Sequence, residues 1–468
     1  MWRRFLFIPR NNIFLLILLI LSGIYSPLLH AQRIYGTIYG FTIFSSSGGT
    51  FSRSTINITE GEILWEQIFD FEINDWAFSI IETSDNGLAI AAKIYYEEEG
   101  MWDQDGLLIK TDNLGEVQWT QTYGGEGVEY AYDVIQTVDG GFAMTGSTTT
   151  NSTGRTDGWL VKTSPQGKEE WSQQYAGTSY DKLKGLIQTR EGGYALAGEK
   201  SDSAWIIKTD TLGNEEWVLR LGSGSKEAQE IIQTMDGGYG VVGSCVIISH
   251  NFQVHQDLCL IKLAKNGSIE WNRTYNSMIW QSRFPADYGY SVTQTADGGF
   301  FLFGDTHNLQ NSTGYDFWLV KTDAAGVPLW NRTYGEKGTE SLNAGIQTMD
   351  GGFALTGYTD SFGVEHSDIY LVKTDAQGVL EWNRTYGAFD WEEAFSLVQT
   401  SDSGLVILGR SSPPSAPGPE GNTNIWLLKV KGRGVPPSAP PSLWNHPFFP
   451  VTLLIGCLTL FLLIKRKH

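Results

Sequence analysis

The sequence predicts an all-β fold, a seven-bladed β-propeller built from four-stranded blades. Three observations support this prediction. A segment of about fifty residues recurs seven times, each copy holds four strand-like runs joined by tight turns, and the chain starts and ends part-way through a copy. Four strands in a repeat of this length are typical of a propeller blade. The 54 Gly and 13% aromatic residues suit many short strands.

A Gln-Thr pair marks the end of the first predicted strand in each copy. Turns such as Asp139-Gly140-Gly141 follow it, and Asp-Gly provides the positive φ angles of a tight hairpin. The first copy is degenerate and reads Glu82-Thr83. The other copies carry Gln136, Gln188, Gln233, Gln294, Gln347 and Gln399.

The third and fourth predicted strands carry a Lys and a Trp in register. A large ring that every blade needs is more typical of packing between blades than of catalysis, and we interpret the Lys series in the same way. The Lys residues are Lys110, Lys162, Lys208, Lys262, Lys321, Lys373 and Lys429, and the Trp residues are Trp65, Trp119, Trp171, Trp217, Trp271, Trp330 and Trp382.

The two ends of the repeat region predict how the ring closes. The first Trp strand, at about 62–69, precedes any Gln-Thr strand, and the seventh copy ends after its third strand at Lys429. We therefore expect the N-terminal strand to complete the last blade, which removes two free sheet edges. An eighth, partial blade built from residues 33–69 is the alternative.

Both ends of the chain carry membrane signals. Basic Arg3 and Arg4 precede an apolar run, which predicts a signal peptide, with an uncleaved anchor as the alternative. A second apolar stretch is just long enough to span a bilayer, and the basic tail after it places the C-terminus in the cytoplasm. The predicted segments are a signal peptide at 1–31, an N-terminal extension at 32–61, an extracellular propeller at 62–431, a Pro-rich stalk at 432–447, a transmembrane helix at 448–464 and a cytoplasmic tail at 465–468.

The repeat "QTxDGGFALTG…DxWLVKTDxxGxxxWNRTYG" resembles the β-propeller repeats of secreted and surface-anchored prokaryotic, particularly archaeal, proteins over about residues 60–430. The segment Asp375…Gly378…Trp382 is similar to the tryptophan-docking motif of quinoprotein-like propellers, although its Asp-to-Trp spacing is one residue shorter. In that motif an Asp, a turn Gly and a Trp join one blade to the next. The family holds both quinone-cofactor dehydrogenases and non-enzymatic scaffolds, so the resemblance implies a fold and not an activity.

An acid precedes each Gln-Thr pair by seven positions, at the entry to the strand that would be innermost. These acids form either an acidic collar round the channel mouth, which would attract a cation or a basic partner, or a set of carboxylates that accept hydrogen bonds within their own connections. As candidate ligand-binding residues they are Asp75, Glu129, Asp181, Asp287, Glu340 and Glu392, with Glu227 one place later in the fourth blade.

The fourth blade departs from the repeat through two long connections, 245–259 and 276–287, which we expect side by side on the outward face. Together they predict an apolar recognition patch, unless the two inserts pack on each other. The candidate ligand-binding residues of this patch are Met278, Ile279, Trp280 and Phe284.

Cys245 and Cys259 flank the first of these connections. Outside the cell a disulfide is expected, whereas a zinc site with His250 and His255, or a pair of free thiols, are the alternatives. The sequence has no serine elbow, no phosphate loop and no His-rich cluster, so no catalytic residue, metal or cofactor is predicted.

The sequence thus predicts a surface-anchored propeller that recognises an extracellular protein or glycan. A quinone- or metal-dependent enzyme with its site in the channel is one alternative, and a purely structural envelope protein is another. A cofactor pocket needs inward-facing polar residues that differ between blades, and the repeats suggest mostly uniform ones. The net charge of −19 excludes nucleic acid as a main partner. Sequons at Asn151 and Asn311 predict a glycoprotein.

Overall fold

The computed structural model describes fifteen segments of the chain, within which the secondary structure is β throughout. The predicted signal peptide, Pro-rich stalk and transmembrane helix lie outside them. No helix within these segments is long and apolar enough to cross a membrane. The described residues are 35–38, 43–47, 50–54, 59–71, 76–98, 101–149, 155–175, 180–222, 225–248, 254–276, 286–307, 314–362, 366–387, 391–411 and 423–433.

Six blades are antiparallel sheets of four strands that follow one another along the chain, and the first of the four is innermost. Blade 1 holds β5 (Trp76–Glu82), β6 (Leu88–Glu98), β7 (Met101–Thr111) and β8 (Val117–Tyr123); blade 2 holds β9 (Glu129–Gln136), β10 (Phe142–Thr148), β11 (Asp157–Thr163) and β12 (Glu169–Tyr175); blade 3 holds β13 (Asp181–Gln188), β14 (Tyr194–Lys200), β15 (Ala204–Thr209) and β16 (Glu215–Arg220). Blade 4 holds β17 (Ser225–Gln233), β18 (Tyr239–Ile248), β19 (Val254–Leu263) and β20 (Ile269–Tyr275); blade 5 holds β21 (Tyr288–Gln294), β22 (Phe300–His307), β23 (Tyr315–Thr322) and β24 (Pro328–Tyr334); blade 6 holds β25 (Glu340–Gln347), β26 (Phe353–Thr359), β27 (Asp368–Thr374) and β28 (Leu380–Tyr386).

Blade 7 closes the ring with strands from both ends of the chain, as predicted. It consists of β29 (Glu392–Gln399), β30 (Leu405–Ser411) and β31 (Asn424–Val430), and β4 (Ile63–Phe69) adds the fourth strand by pairing with β31. The propeller therefore has seven blades. The alternative of an eighth blade is wrong for the described residues: β1 (Tyr35–Ile38) only extends the outer edge of blade 7, and β2 (Ile43–Ser47) pairs with β3 (Thr50–Ser54) in a separate hairpin.

The antiparallel order gives the propeller two unlike faces. The turns between the first and second and between the third and fourth strands lie on one face, which we call the turn face. The strand ends at which the second strand leads to the third, and at which one blade leads to the next, lie on the other face, which we call the loop face. The hydrophobic core lies between neighbouring sheets, since each cluster of buried apolar side chains draws on two adjacent blades.

On the turn face, each Trp of a fourth strand packs on a turn glycine of the next blade. Gly213 has a φ of +81°, and a Cβ there would lie 2.8 Å from the ring of Trp171, so the position requires glycine. The hydroxyl of Tyr175 donates a hydrogen bond of 2.8 Å to the carbonyl oxygen of the same glycine. Trp382 packs on Gly61 in the same way, so the series runs right round the ring.

The Lys and Gln series also hold the turn face together. Lys373 is 1% exposed and pairs with Asp350 of the turn at 2.9 Å. The Gln188 side chain accepts a hydrogen bond of 2.9 Å from the backbone N–H of Val138 in the preceding blade. Glu82 takes the place of Gln in blade 1 and accepts the N–H of Ser401 from blade 7, which accounts for the degenerate first copy. These repeated residues are structural.

Candidate binding site at the channel mouth

Every innermost strand has a β-bulge near its loop-face end. In each blade the pairing of the first strand with the second skips one equivalent residue, and blade 4 has a second shift between Ser225 and Glu227. In blade 2, Thr145 pairs with Asp133 and Gly146 with Ala131, so Tyr132 has no partner. A bulge commonly re-aims a side chain and disrupts the local hydrogen-bond ladder. Seven such residues surround the loop-face mouth of the channel.

The skipped residues, which we call the bulge ring, differ in chemistry from blade to blade. Aromatic rings are grouped in blades 7, 1 and 2, whereas polar side chains occupy most of the other positions. In blade order from blade 1, the bulge ring consists of Phe78, Tyr132, Lys184, Gln229, Tyr290, Asn343 and Phe395.

A second variable set, the strand-two ring, lies on the adjoining second strands. Each member directly follows a Gly, or Ala92 in blade 1, and lies near the same end of its blade. The expectation that inward-facing residues are mostly uniform is therefore wrong at this mouth, because both rings change at almost every blade. The strand-two ring consists of Lys93, Ser147, Glu199, Ser244, Asp305, Tyr358 and Arg410.

Five aromatic side chains form a continuous row across blades 7, 1 and 2. Phe395 stacks on Trp76 with ring centroids 5.9 Å apart, and Phe78 meets Tyr132 edge-on at 5.1 Å. Tyr132 stacks on Tyr130 at 5.6 Å with planes 10° apart. All five rings are half-buried, so each retains some exposed surface. We call this row, together with Lys93 and Arg410, the aromatic arc.

The two cations of the aromatic arc lie over the same indole. The Lys93 Nζ is 5.1 Å from the centroid of the Trp76 ring, and the Arg410 Cζ is 4.4 Å from it. Lys93 is only 6% exposed, and its Nζ donates a hydrogen bond of 2.9 Å to the Tyr95 hydroxyl. No carboxylate within the described residues forms an ion pair with it. Arg410 pairs with Glu393 at 3.0 Å through Nη2, and no described residue accepts a hydrogen bond from its Nη1.

In the opposite half of the mouth, Lys184 and Asp305 have partners within the protein. Lys184 pairs with Glu227 at 2.6 Å across blades 3 and 4. Asp305 accepts hydrogen bonds from the Ser341 hydroxyl at 2.9 Å and from the backbone N–H of Leu342 at 2.6 Å, while its burial raises its pKa to about 8. An open cavity of about 320 Å³ in blade 3 adjoins this half and is lined by Tyr180, Lys182, Glu199, Ser201 and Asp202.

Two further acids lie deeper in the channel wall, one residue after the bulge. Asp133 accepts the Ser79 hydroxyl at 2.7 Å and the backbone N–H of Leu186 at 2.9 Å. Glu230 accepts the N–H of Val292 at 2.6 Å. Burial raises the pKa of Asp133 to about 6 and that of Glu230 to about 8, and the negative charge of Asp133 adds to the effect on Glu230. These carboxylates supply acceptors for N–H groups of the neighbouring blade.

Most of the acids that precede the Gln-Thr pairs are buried within their blades, which favours the alternative that these carboxylates accept hydrogen bonds within their own connections over an acidic collar at the mouth. Glu340 is fully buried and accepts hydrogen bonds from the Thr359 hydroxyl at 2.7 Å and from the backbone N–H of Glu336 at 2.9 Å. Its counterparts bond in the same manner to the end of their own second strand. The partners are Thr148 for Glu129, Lys200 for Asp181, Thr306 for Asp287 and Ser411 for Glu392. Glu227 alone reaches the mouth among the described members, and Asp75 lies outside the described residues.

Only part of what was predicted for the fourth blade falls within the described residues. Its apolar patch of Met278, Ile279, Trp280 and Phe284 lies outside the described residues. Cys245 and Cys259, on neighbouring strands with Cα atoms 5.8 Å apart, are joined in a disulfide. Their sulfur atoms are therefore not ligands of a zinc ion, and the described residues contain no group of three His, Cys, Asp or Glu side chains arranged to hold a metal.

The residues of the aromatic arc escaped the sequence analysis, although a signal for them exists. They occupy fixed offsets from the repeated Gln and Gly, at which the residue type changes from copy to copy. A search for motifs finds what the copies share and passes over such positions. Comparing the residue after Gly in "AMTGS", "ALAGE", "LFGD" and "ILGR" would have pointed to the strand-two ring.

No family model and no curated protein matches this sequence. Among solved structures, the chain is similar to Sqt1 from Chaetomium thermophilum, at 12% identity and a TM-score of 0.43 over 80% of this chain and 88% of that one. Plexin A from Drosophila, solved with Semaphorin 1b, has 9% identity and a TM-score of 0.45 over 80% and 88%. The Pan2 WD40 domain of Neurospora crassa has 9% and 0.43 over 75% and 88%. None of these likenesses bears on ligand or activity.

Proposed function

We propose that this chain is a single-pass, surface-anchored recognition module whose extracellular propeller binds a protein or glycan at the loop-face mouth of its channel. One observation carries the proposal. The two rings at the mouth change from blade to blade, whereas the repeated residues of the turn face all have structural partners. Half-buried aromatic rings with a few polar groups among them are typical of binding sites.

The anchoring part of the proposal rests on the two terminal apolar stretches. Strand direction supports the orientation, since the chain leaves the propeller after a third strand and hence from the turn face. A C-terminal anchor would then leave the loop face directed away from the membrane. This geometry leaves the aromatic arc accessible to ligands outside the cell.

Labelling of intact cells with a membrane-impermeant, amine-reactive reagent tests the proposed orientation of the chain in the membrane. Lys265 lies in the propeller with its side chain 65% exposed, and it should be labelled without permeabilisation. The tail lysines Lys465 and Lys467 should be labelled only after permeabilisation. Labelling of the tail on intact cells would overturn the proposed orientation.

Binding of the full-length chain, solubilised in detergent, to arrays of surface glycans and proteins tests recognition. A double variant of the mouth, Phe78→Ser with Tyr132→Ser, should lose the captured ligand. The matched control replaces two exposed apolar residues of the turn face, Val138→Ser with Val327→Ser, and should retain it. Equal capture by both variants would remove the mouth from the proposal.

A further inference from the structure

We propose that the aromatic arc binds a saccharide that carries a carboxylate group, such as a uronic acid unit of a glycan. This inference deepens the proposed function and depends on it.

The aromatic row offers half-exposed ring surface on one side of the mouth. Its rings come from three blades, and the contacts between Phe395 and Trp76 and between Phe78 and Tyr132 bridge the two blade junctions. Since each ring packs on its neighbour, the row leaves no deep slot between rings for an apolar side chain. A ligand with a flat apolar face and polar edges, as a pyranose has, fits such a surface.

The cations supply the selectivity for a negative charge. A buried ammonium group is costly unless a counter-charge or hydrogen-bond acceptors compensate for its lost hydration. Around Lys93 the described residues provide three ring faces, Trp76, Tyr95 and Tyr130, and one hydroxyl, but no carboxylate in an ion pair. The Arg410 Nη1 likewise finds no acceptor in the part of the chain that the structure describes. A ligand carboxylate would provide the missing negative charge.

The charge of the whole chain favours a ligand with few negative charges. At a net charge of −19, a polyanion such as nucleic acid would be repelled, whereas a single carboxylate held by two cations would not. No other member of the strand-two ring is cationic, and Lys184 of the bulge ring already pairs with Glu227. Among the described residues of the two rings, Lys93 and Arg410 are therefore the cations that lack a full set of partners.

The channel wall disfavours an extended peptide as the occupant. A peptide that adds to a strand edge needs free backbone N–H groups. At the innermost strands, side chains from neighbouring blades already accept several of these groups. The N–H of Ile80 donates to Ser396, that of Leu186 to Asp133, and that of Val292 to Glu230.

Calorimetric titration of the full-length chain in detergent tests the proposal with three probes. They are a disaccharide with a terminal glucuronic acid, the same disaccharide with glucose, and N-acetylglutamate as a carboxylate without a sugar. We expect the acidic disaccharide to bind with an affinity at least about tenfold higher than that of either other probe. Equal affinity for the acidic and neutral disaccharides, or for the acidic disaccharide and N-acetylglutamate, would overturn the proposal.

Two variants locate the site. Lys93→Met and Arg410→Met should each weaken binding of the acidic disaccharide about tenfold and leave the weak binding of the neutral one unchanged. Tyr358→Phe, at the same ring position in blade 6, is the matched control and should change the affinity less than about twofold. Full affinity in both Lys93→Met and Arg410→Met would contradict the assignment.

The outcome also separates this inference from the proposed function. If the neutral disaccharide binds as well as the acidic one and the Phe78→Ser and Tyr132→Ser double variant loses both, the mouth is a recognition site and the preference for an acid is wrong. If neither sugar binds and the double variant retains every ligand captured on the arrays, both proposals fail.

Discussion

The turn face and the loop-face mouth of this propeller both contain buried lysines and aromatic residues, but these residues have different roles on the two faces. On the turn face, a buried lysine and a tryptophan recur in every blade, a glutamine recurs in six blades with Glu82 in its place in blade 1, and each has a defined partner. At the mouth, Lys93, Arg410 and the aromatic residues of the arc are not repeated at the equivalent position of every blade. Lys93 and Arg410 are also incompletely paired within the described residues. Residues placed for stability repeat with the fold, whereas those placed for a ligand need not.

The largest effect that tests this comparison is expected at Lys373. Its Nζ lies 2.9 Å from an oxygen of Asp350 and 3.3 Å from one of Glu381, and it is almost fully buried. Lys373→Met would leave the Asp350 carboxylate without its counter-charge, while Glu381 would keep only its ion pair with Arg433, and the change should lower the free energy of unfolding by about 3 kcal/mol. Chemical denaturation measures this change.

Lys208 provides the matched control for that experiment. In blade 3 a Glu replaces the turn Asp, and this Glu191 pairs with Lys265, so Lys208 retains only Glu216, whose side chain is 50% exposed. Lys208→Met should cost about 1 kcal/mol. Equal losses in the two variants would show that the turn-face ion pairs do not determine the stability of the blades.

A smaller effect is expected at Glu230, which should make the stability of the folded protein depend on pH. Burial raises its folded-state pKa to about 8 from an ordinary value of 4.5, so between these limits the folded protein retains a proton that the unfolded chain releases. Stability should therefore fall as pH rises from about 4.5 to about 8. Glu230→Gln should remove the contribution of Glu230 to this fall.

Thermal unfolding at pH 5 and pH 8 tests the Glu230 prediction. The variant should melt at a higher temperature than the parent at pH 8 and at nearly the same temperature at pH 5. Burial also raises the pKa of Asp305, so part of the pH dependence of stability should remain in the variant. A variant with the parent's full pH dependence would contradict the prediction.

The smallest effect is expected from the tyrosine hydroxyls that join the blades. Tyr334 donates a hydrogen bond of 2.7 Å to the carbonyl oxygen of Gly378, and Tyr334→Phe should cost about 1 kcal/mol. Phe69 occupies the same position in blade 7 and has no hydroxyl. Phe69→Tyr should stabilise the ring by a similar amount, measured by denaturation, if its hydroxyl reaches Gly115; a loss of stability would show that this blade junction differs from the others.

The sequence predicted the blades and their closure because both depend on residues that every copy shares. The Gln-Thr pair, the Asp-Gly turns and the Trp strands define three strand boundaries, and the order of the ends defines the join at β4. Which side chains line the mouth depends instead on the register between the first and second strands of each blade. A bulge exists only in the pairing of two strands, so the exposure of Phe78 or Tyr132 at the channel could not be predicted from one strand.

The acids before the Gln-Thr pairs show the opposite limit of sequence reasoning. Their regular spacing allowed either a shared site or a set of structural carboxylates. The second alternative is the one observed, because Glu129 and Glu340 are buried by the second strand of their own blade and accept hydrogen bonds from Thr148 and Thr359. Spacing along the chain gives the position of a residue on a strand. It does not give the side on which the neighbouring strand supplies a hydrogen-bond donor.

The most direct test of the contrast between the two faces compares Lys93→Met with Lys373→Met in thermal unfolding of the full-length chain. Both lysines are almost fully buried, but Lys373 has two carboxylates and Lys93 has aromatic rings. If Lys93 is retained for a ligand, its replacement should leave the melting temperature unchanged or raise it, because a desolvated charge is removed. Lys373→Met should lower it by several degrees. A loss at Lys93 as large as that at Lys373 would contradict the account, since both faces would then serve stability alone.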